Sequence, residues 1–323
     1  MKKLKFRLDA SPNIGLGHLI RCLSLAQMVK ELFSCEFFIT KTSIDVESML
    51  GGFRCTIIAS EKDFLSTIIA NDVIVLDGYF FSGTYKKNIK SLGNFLICLD
   101  DLYQDQYSAD MVINHAPAVE ESKYPSHAVK LLGPKYTLLR PNFLKEFDSI
   151  FACPPQKVFM CFGGSDANNL TQQLVGHLQA LNLILDITVV LGSGYLFQKE
   201  LATQIGQSTC EKIKLKHNLS ENQMINEMQE SDVLIVPSSS ILFEAITLHK
   251  PIISGFYTTN QRLIYEGFKK ANVFYDAVDF SKNNFLSAWG KISTENSEEM
   301  VNNQRMEIDK KSPERIQKAF EKI

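Results

Sequence analysis

The sequence lacks most features that assign a function quickly. It has no run of the ~18 apolar residues that a membrane helix needs, so no spanning segment is expected. No two of its seven cysteines (Cys22, Cys35, Cys55, Cys98, Cys153, Cys161 and Cys210) have C-x-x-C spacing. Their number is odd, and several sit in apolar runs such as "FLICLD" and "VFMCFGG". They read as buried thiols of a reducing compartment, not as a disulfide framework or a zinc site. Neither sign of charge is in excess: 34 basic residues face 36 acidic ones, for a net charge of -2. That excludes a basic nucleic-acid surface and an acidic tail, and the scattered "KKLK" and "KK" groups read as solvated faces. In "MKKLKFRLDAS", Lys5, Arg7 and Asp9 interrupt any apolar run, so no signal peptide is expected and the cytoplasm is the expected location. Tryptophan occurs once, at Trp289.

What is present is ordinary for a globular protein: 45% hydrophobic and 22% charged residues over 323 positions. At ~150 residues per domain this length predicts about two domains. Short apolar runs alternate with segments of helical period. "KLKFRLDA" reads as a strand, and residues 18–33 as a helix with Leu19, Leu23, Ala26, Val29 and Phe33 three or four apart. "CEFFITK", "FRCTIIA", "DVIVLDG", "FLICLDD", "DMVINH" and "VKLLG" continue the strand series. Fully apolar strands separated by helices predict a buried parallel sheet. The rhythm breaks over residues 141–156, which hold Pro141, Pro154 and Pro155, and a linker is expected there. It then restarts with "KVFMCFGG", "LDITVVLG", "KIKLKH", "DVLIVPSSS" and "PIISG". The expected fold is α/β: two Rossmann-like, doubly wound parallel-sheet domains with a cleft between them. Their spans are 1–148 and 149–276, followed by a helical tail over 277–323.

In such sheets ligands sit beyond the carboxyl ends of the strands, so the loops after strands are the candidates. The first is "DASPNIGLGHLIR", which runs from Asp9 at a strand end into a helix starting near Gly17 or His18. Gly15 and Gly17 let the backbone turn sharply and approach a ligand. The dinucleotide fingerprint is incomplete, because Ile20 stands where a third glycine is expected. His18 falls in the first helical turn, where the dipole disfavours imidazolium and leaves a neutral ring fit for general-base work. A half-exposed histidine without a role is the competing reading, and position alone leaves the two level.

The second loop is "MCFGGSDANNL". Its Ser165, Asp166, Asn168 and Asn169 are the usual capping types. Gly163 and Gly164 offer backbone approach to a ligand, while the acidic Asp166 makes a poor primary phosphate site. The third, "LIVPSSSILFEAITLHKP", places Ser238, Ser239 and Ser240 at a helix start suited to a diphosphate. Glu244 lies one turn further in. It fits no capping box from these serines, since Ile241, Leu242 and Phe243 occupy the third positions. It reads as a ribose ligand, against the plainer reading of an acid favoured near a helix start. The fourth, "GFYTTNQRLIYEG", clusters Thr258, Thr259, Asn260 and Gln261, with Thr259 as a plain cap the alternative. "LDGYFF" and "LDD" end strands with Asp77, Tyr79, Asp100 and Asp101. Consecutive residues on an extended chain point to opposite sides, so Asp100 and Asp101 are not expected to share an ion, and no metal or other cofactor is expected.

Taken together, "FRLDASPNIGLGHLIRCLSLA", "LDGY", "FGGSDANNL" and "SSSILFEAITLHKPIISGFYTTNQ" have the order and spacing of a known family. Over residues 4–276 the chain resembles the UDP-2,4-diacetamido-2,4,6-trideoxy-β-L-altropyranose hydrolases of pseudaminic acid biosynthesis. The resemblance implies a fold like that of the type-B glycosyltransferases, with the nucleotide held mainly by the second domain. It implies that His18 is catalytic and acts on an attacking water. It further implies that Asn260 contacts substrate, that Tyr79 lies near the sugar, that Glu244 takes the ribose, and that Ser239 and Ser240 take the diphosphate. Asp9, Gly15, Gly17 and Gln261 fall in the substrate-binding loops, and Gly163 and Gly164 in the UDP-binding one. Two departures stand out: the family's D-H-Y-G stretch is D-G-Y-F here, with Gly78 in place of histidine, and residues 277–323 lack a clear counterpart in the shorter members.

The expected activity is therefore metal-independent hydrolysis of a UDP-sugar to UDP and free sugar, with water attacking the anomeric carbon. The expected partner is the UDP-sugar, without nucleic acid or membrane. A glycosyltransferase with a UDP-sugar donor, a 2-epimerase and a non-catalytic nucleotide-sugar-binding module share the same loops and remain as alternatives.

Overall fold

The computed structural model describes residues 1–11, 14–43, 45–103, 108–206 and 212–323. These divide into two compact units: residues 1–140 with 310–323, and residues 141–309.

In the first unit the chain runs β1 (Lys2–Leu8), α1 (Gly17–Val29), β2 (Phe33–Thr40), α2 (Val46–Met49), β3 (Arg54–Ile58), α3 (Glu61–Thr67), β4 (Val73–Asp77), α4 (Gly83–Ser91), β5 (Phe95–Leu99), β6 (Met111–Asn114) and β7 (Val129–Leu132). The seven strands form one sheet in the order β3-β2-β1-β4-β5-β6-β7, and every pairing is parallel. β4, with the sequence Val-Ile-Val-Leu-Asp, is buried along its whole length. That explains its unbroken apolar run: a parallel strand covered on both faces has no solvent side to alternate with. α1 carries Leu19, Cys22, Leu25, Ala26 and Val29 into the core, with Leu23 half-buried beside them; the helix ends at Val29, and Phe33, expected on it, instead opens β2.

The second unit repeats the plan. It comprises β8 (Lys157–Cys161), α5 (Leu170–Gln179), β9 (Asp186–Leu191), α6 (Gln198–Gly206), β10 (Lys212–His217), α7 (Glu221–Gln229), β11 (Val233–Ile235), α8 (Ser240–Ile246), β12 (Ile252–Ser254), α9 (Arg262–Lys270), β13 (Tyr275–Asp276), α10 (Lys282–Trp289) and α11 (Thr294–Glu307). Its six strands lie parallel in the order β10-β9-β8-β11-β12-β13. Two doubly wound, Rossmann-like α/β domains are thus present. The short strand β13 has no counterpart in the apolar pattern of the sequence, because two residues are too few to register as a run.

The proline-bearing segment 141–156 runs along the second unit. Asn142 N donates to Glu221 Oε1 (2.6 Å), Ser149 Oγ to the His249 carbonyl (2.6 Å), and Ala152 N to Asp232 Oδ1 (2.8 Å). The fully buried Lys250 ammonium donates to the carbonyls of Ile150, Gln229 and Ser231.

Residues 277–323 divide between the units. Phe285 and Ala288 of α10 and Met300 of α11 join the second core, and Gln304 Nε2 donates to the carbonyls of Lys250 (2.9 Å) and Val273 (3.0 Å). The last helix, α12 (Ser312–Phe320), belongs to the first unit. Ile316 and Phe320 are buried in its core, the Phe320 ring meets Phe33 edge-on at 5.9 Å, and Gln317 donates to the Met28 carbonyl.

Cys22, Cys35, Cys98 and Cys161 are buried free thiols, and Cys210 lies outside the described residues. No described helix is long and apolar enough to cross a membrane. Replacing Phe320 by alanine should remove about 3–5 kcal/mol from the first unit by emptying a core position. Urea denaturation followed by far-UV circular dichroism checks this, and an unchanged midpoint would refute the docking of α12.

Candidate active site

Sheet order places the candidate residues. In the first sheet the chain moves outward from β1 through β2 to β3, then returns to β4 and moves the other way. The order therefore reverses between β1 and β4, the position at which doubly wound sheets open a crevice for ligands. In the second sheet the reversal lies between β8 and β11. Most of the loops singled out in the sequence leave these strands or their immediate neighbours.

Beyond β1, Ser11 and Gly15 close a tight turn: Gly15 N donates to the Ser11 carbonyl (2.7 Å) and Ile14 N to Ser11 Oγ (3.1 Å). Gly15 has φ +83°, a conformation that glycine adopts without strain. Gly17 begins α1, and Leu16 before it supplies no side-chain cap. Asp9 is taken up by the sheet, accepting from Thr40 N (2.9 Å), Thr40 Oγ1 (2.7 Å) and Arg7 Nη1 (2.7 Å). Burial pushes the Asp9 carboxyl up, but Arg7 and Thr40 outweigh it and hold it below its ordinary range.

His18, the second residue of α1, is 7% exposed and so buried rather than half-exposed. Its Nδ1 lies 2.7 Å from Oδ1 of Asp77, the last residue of β4. Arg21, one turn further along α1, donates through Nε to Asp77 Oδ2 (2.6 Å) and through Nη2 to Oδ1, and through Nη1 to Asp101 Oδ1 (2.6 Å). Cys22 Sγ also donates to Asp77 Oδ2 (3.4 Å). The Tyr79 hydroxyl donates to Asp101 Oδ2 (2.6 Å), and its ring meets the His18 ring edge-on at 5.0 Å.

Burial drives the Asp77 carboxyl up, yet the Arg21 guanidinium and His18 hold it well below the usual carboxylate range. Asp101 is likewise driven up by burial and brought below its ordinary value by Arg21. An ionised Asp77 can only accept, so the shared proton resides on His18 Nδ1. Arg21 Nη2, 3.2 Å from the same nitrogen, is a second donor and cannot replace that bond. Nδ1–H therefore points at Asp77, so that in the neutral ring the lone pair is on Nε2, the tautomer needed to accept a proton.

Asp100, by contrast, accepts from the Tyr124 hydroxyl (2.6 Å) and Tyr103 N (2.9 Å). It and Asp101 serve different partners, as consecutive residues leaving a strand should. No group of three or more His, Cys, Asp or Glu placed to hold a metal occurs among the described residues. At position 78 a Cβ would lie 2.7 Å from the Phe80 ring, so any larger side chain there requires Phe80 to move.

In the second unit, Gly163 (φ +79°) and Gly164 follow β8 and pack against the loop after β9. A Cβ on Gly192 would sit 2.4 Å from the Gly164 carbonyl, which accepts from Gly194 N (2.9 Å). Asp166 is buried and occupies the start of α5, accepting from Leu170 N (2.9 Å) and Thr171 N (2.7 Å). Those amides are spent internally, which removes them from any phosphate site. At the end of β11, Ser238 is fully buried with its hydroxyl against Ser254 Oγ (3.1 Å). Ser239 precedes α8 without capping it through its side chain, and Ser240 opens the helix. Glu244 is buried on α8. Asn260 and Gln261 lie in a 3-10 turn after β12, where Gln261 Oε1 accepts from Tyr257 N (3.0 Å).

The sequence reading missed Arg21 and Gly192. Arg21 had a faint signal, since positions 18 and 21 share one face of a helix. Nothing local marked Gly192, whose constraint comes from Gly163 and Gly164 in the loop after β8.

No family model matches the chain. It is 30% identical over 284 residues to MJ1062, an uncharacterized protein of Methanocaldococcus jannaschii; the match takes in 83% of this chain and spans 58% of the length of that one. It is 24% identical over 282 residues to the UDP-2,4-diacetamido-2,4,6-trideoxy-β-L-altropyranose hydrolase of Campylobacter jejuni, covering 80% of this chain and 93% of the hydrolase. Among solved structures, MurG of Acinetobacter baumannii superposes with a TM-score of 0.67 at 13% identity, covering 99% of this chain and 100% of MurG. The fold is thus of the type-B glycosyltransferase kind, with two Rossmann-like domains.

Asp9, Asp77 and Asp101 all lie below their ordinary values in the folded state. Each stabilises the fold fully above the unfolded carboxylate range of about 4, and that contribution is lost as pH falls through the lower folded values. The free energy of unfolding should decline below about pH 6.5, where the unfolded chain protonates a His115 that burial and Arg21 hold down to about 4, and fall further below about pH 4 as the carboxylates protonate. Urea melts across that range check this, and stability that rose on acidification would contradict it.

Proposed function

We propose that this protein is an enzyme acting on a UDP-sugar, and that it hydrolyses a UDP-linked 2,4-diacetamido-2,4,6-trideoxy hexose to UDP and free sugar in nonulosonic (pseudaminic) acid biosynthesis. The observation that carries this reading is the buried Asp77–His18 pair, which leaves the ring nitrogen Nε2 as proton acceptor. The likeness to the Campylobacter hydrolase supports the substrate class.

In the proposed reaction His18 Nε2 takes a proton from water as the water oxygen bonds to the anomeric carbon. The bond from that carbon to the phosphate oxygen breaks, and its electrons leave with UDP. Attack opposite the leaving group inverts the anomeric centre. Ser239 and Ser240 donate to the departing diphosphate and Glu244 accepts from the ribose hydroxyls. Gly163 and Gly164 let the backbone approach the nucleotide. Asp9, Gly15, Gly17, Tyr79, Asn260 and Gln261 are the proposed substrate-binding residues. No metal enters the scheme.

A panel of UDP-sugars, followed for UDP release and anomeric configuration by proton NMR, tests the reading. Release of UDP without an acceptor, in the presence of chelator and with inversion, is the expected result. UDP release only on addition of an acceptor would make the protein a transferase instead. The His18→Ala variant should lose roughly 10²–10⁴-fold in kcat while still binding UDP. A near-normal kcat would remove His18 from the role of base.

A further inference from the structure

The residues behind His18 form a connected set of charges. Asp77, Arg21, Asp101 and His18 are each no more than 7% exposed. Among the described residues, Arg21 of α1, Asp77 of β4 and Tyr79 of the next loop meet the ring, Cys22 bonds to Asp77 and Asp101 to Arg21, and His115 after β6 feels the charges of Arg21, Asp101 and Asp77. Burial and Asp77 push the Cys22 thiol well up, so it is uncharged. Burial and Arg21 push His115 down to about 4, so it too is neutral at physiological pH. Its Nδ1 accepts from Leu138 N (3.2 Å). Of these groups, two carboxylates and one guanidinium are charged, a net charge of one negative beside a ring that can gain a proton.

A lone carboxylate at 2.7 Å favours imidazolium, and a ring already protonated cannot act as a base. The positive end of α1 opposes that, and so does Arg21, which carries a full charge and whose Nη2 lies 3.2 Å from the ring nitrogen. Arg21 also fixes Asp77 through both carboxylate oxygens, and Asp101 in turn holds Arg21.

We propose that Arg21 and Asp101 are positioning residues that set the net charge on the carboxylate orienting His18, and so fix the pH range in which its ring is free to accept a proton. The proposal rests on the reading of His18 as the base. It makes the two residues opposite in effect: removing the Arg21 charge leaves two uncompensated carboxylates, and removing the Asp101 charge leaves a neutral Asp77–Arg21 pair.

The test is NMR titration of the imidazole protons of histidine-labelled protein, with the His18 signal assigned by its loss in His18→Ala. In Arg21→Gln the His18 midpoint should rise by about one pH unit, a tenfold change in proton affinity. In Asp101→Asn it should fall by a similar amount. The acid limb of kcat/KM should move with each midpoint, whereas a purely structural role would lower kcat in both variants without moving the limbs apart. Asp101→Asn is isosteric and keeps an acceptor for Arg21, so it carries the test if Arg21→Gln does not fold. An unchanged or raised midpoint in Asp101→Asn, or midpoints moving the same way in both variants, would overturn the proposal. The titration needs no turnover, so a protein that released no UDP would sink the hydrolase reading and leave this result standing.

Discussion

The ionised carboxylate of Asp77, fully buried at the end of a central strand, is the constraint on which the first unit's site depends. Taking such a charge out of water is strongly unfavourable unless every lone pair finds a donor. Here the donors are Arg21, His18 and Cys22, all from one helix. The requirement therefore fixes the rotation of α1 over the sheet, the ring plane of His18 and the position of Arg21. Arg21 must then be balanced by Asp101, which draws in the loop after β5 and, through its other oxygen, Tyr79. One desolvated charge thus ties together β1, β4 and β5, neighbours in the sheet.

The second unit uses the same topology with different chemistry. Its switch point lies between β8 and β11, where one loop is glycine-rich and the other serine-rich. The two helix starts are unequal. Asp166 consumes amides at the start of α5, whereas Ser239 leaves the start of α8 without a side-chain cap. No carboxylate caps the second, though Ser239 N (2.8 Å) and Leu242 N (2.9 Å) donate to the Pro237 and Ser239 carbonyls.

Much of this was legible from the residues alone. Fully apolar strands follow from burial on both sheet faces, and the strand–turn–helix form of the His18 loop follows from Gly15 and the helical period after it. Other features were legible only as types. Asp166 was recognisable as a capping residue, but which amides it occupies depends on its left-handed backbone conformation, φ +44°. Arg21 read as one more cation on a helix, because its two acidic partners are 56 and 80 residues away.

The sequence by itself determined the α/β class, the two-domain plan, the loops that follow the strands and the identity of a histidine at one of them. Periodicity and turn chemistry are local, and local signals survive in a one-dimensional reading. Only the tertiary structure decided the strand order, and with it that β1, β4 and β5 are neighbours. That adjacency turned four separate residues, His18, Arg21, Asp77 and Asp101, into one charged cluster. It also sent α12 back to the first unit and left α10 and α11 with the second. Those outcomes rest on charge compensation and core packing between residues far apart in the chain, which no local pattern records.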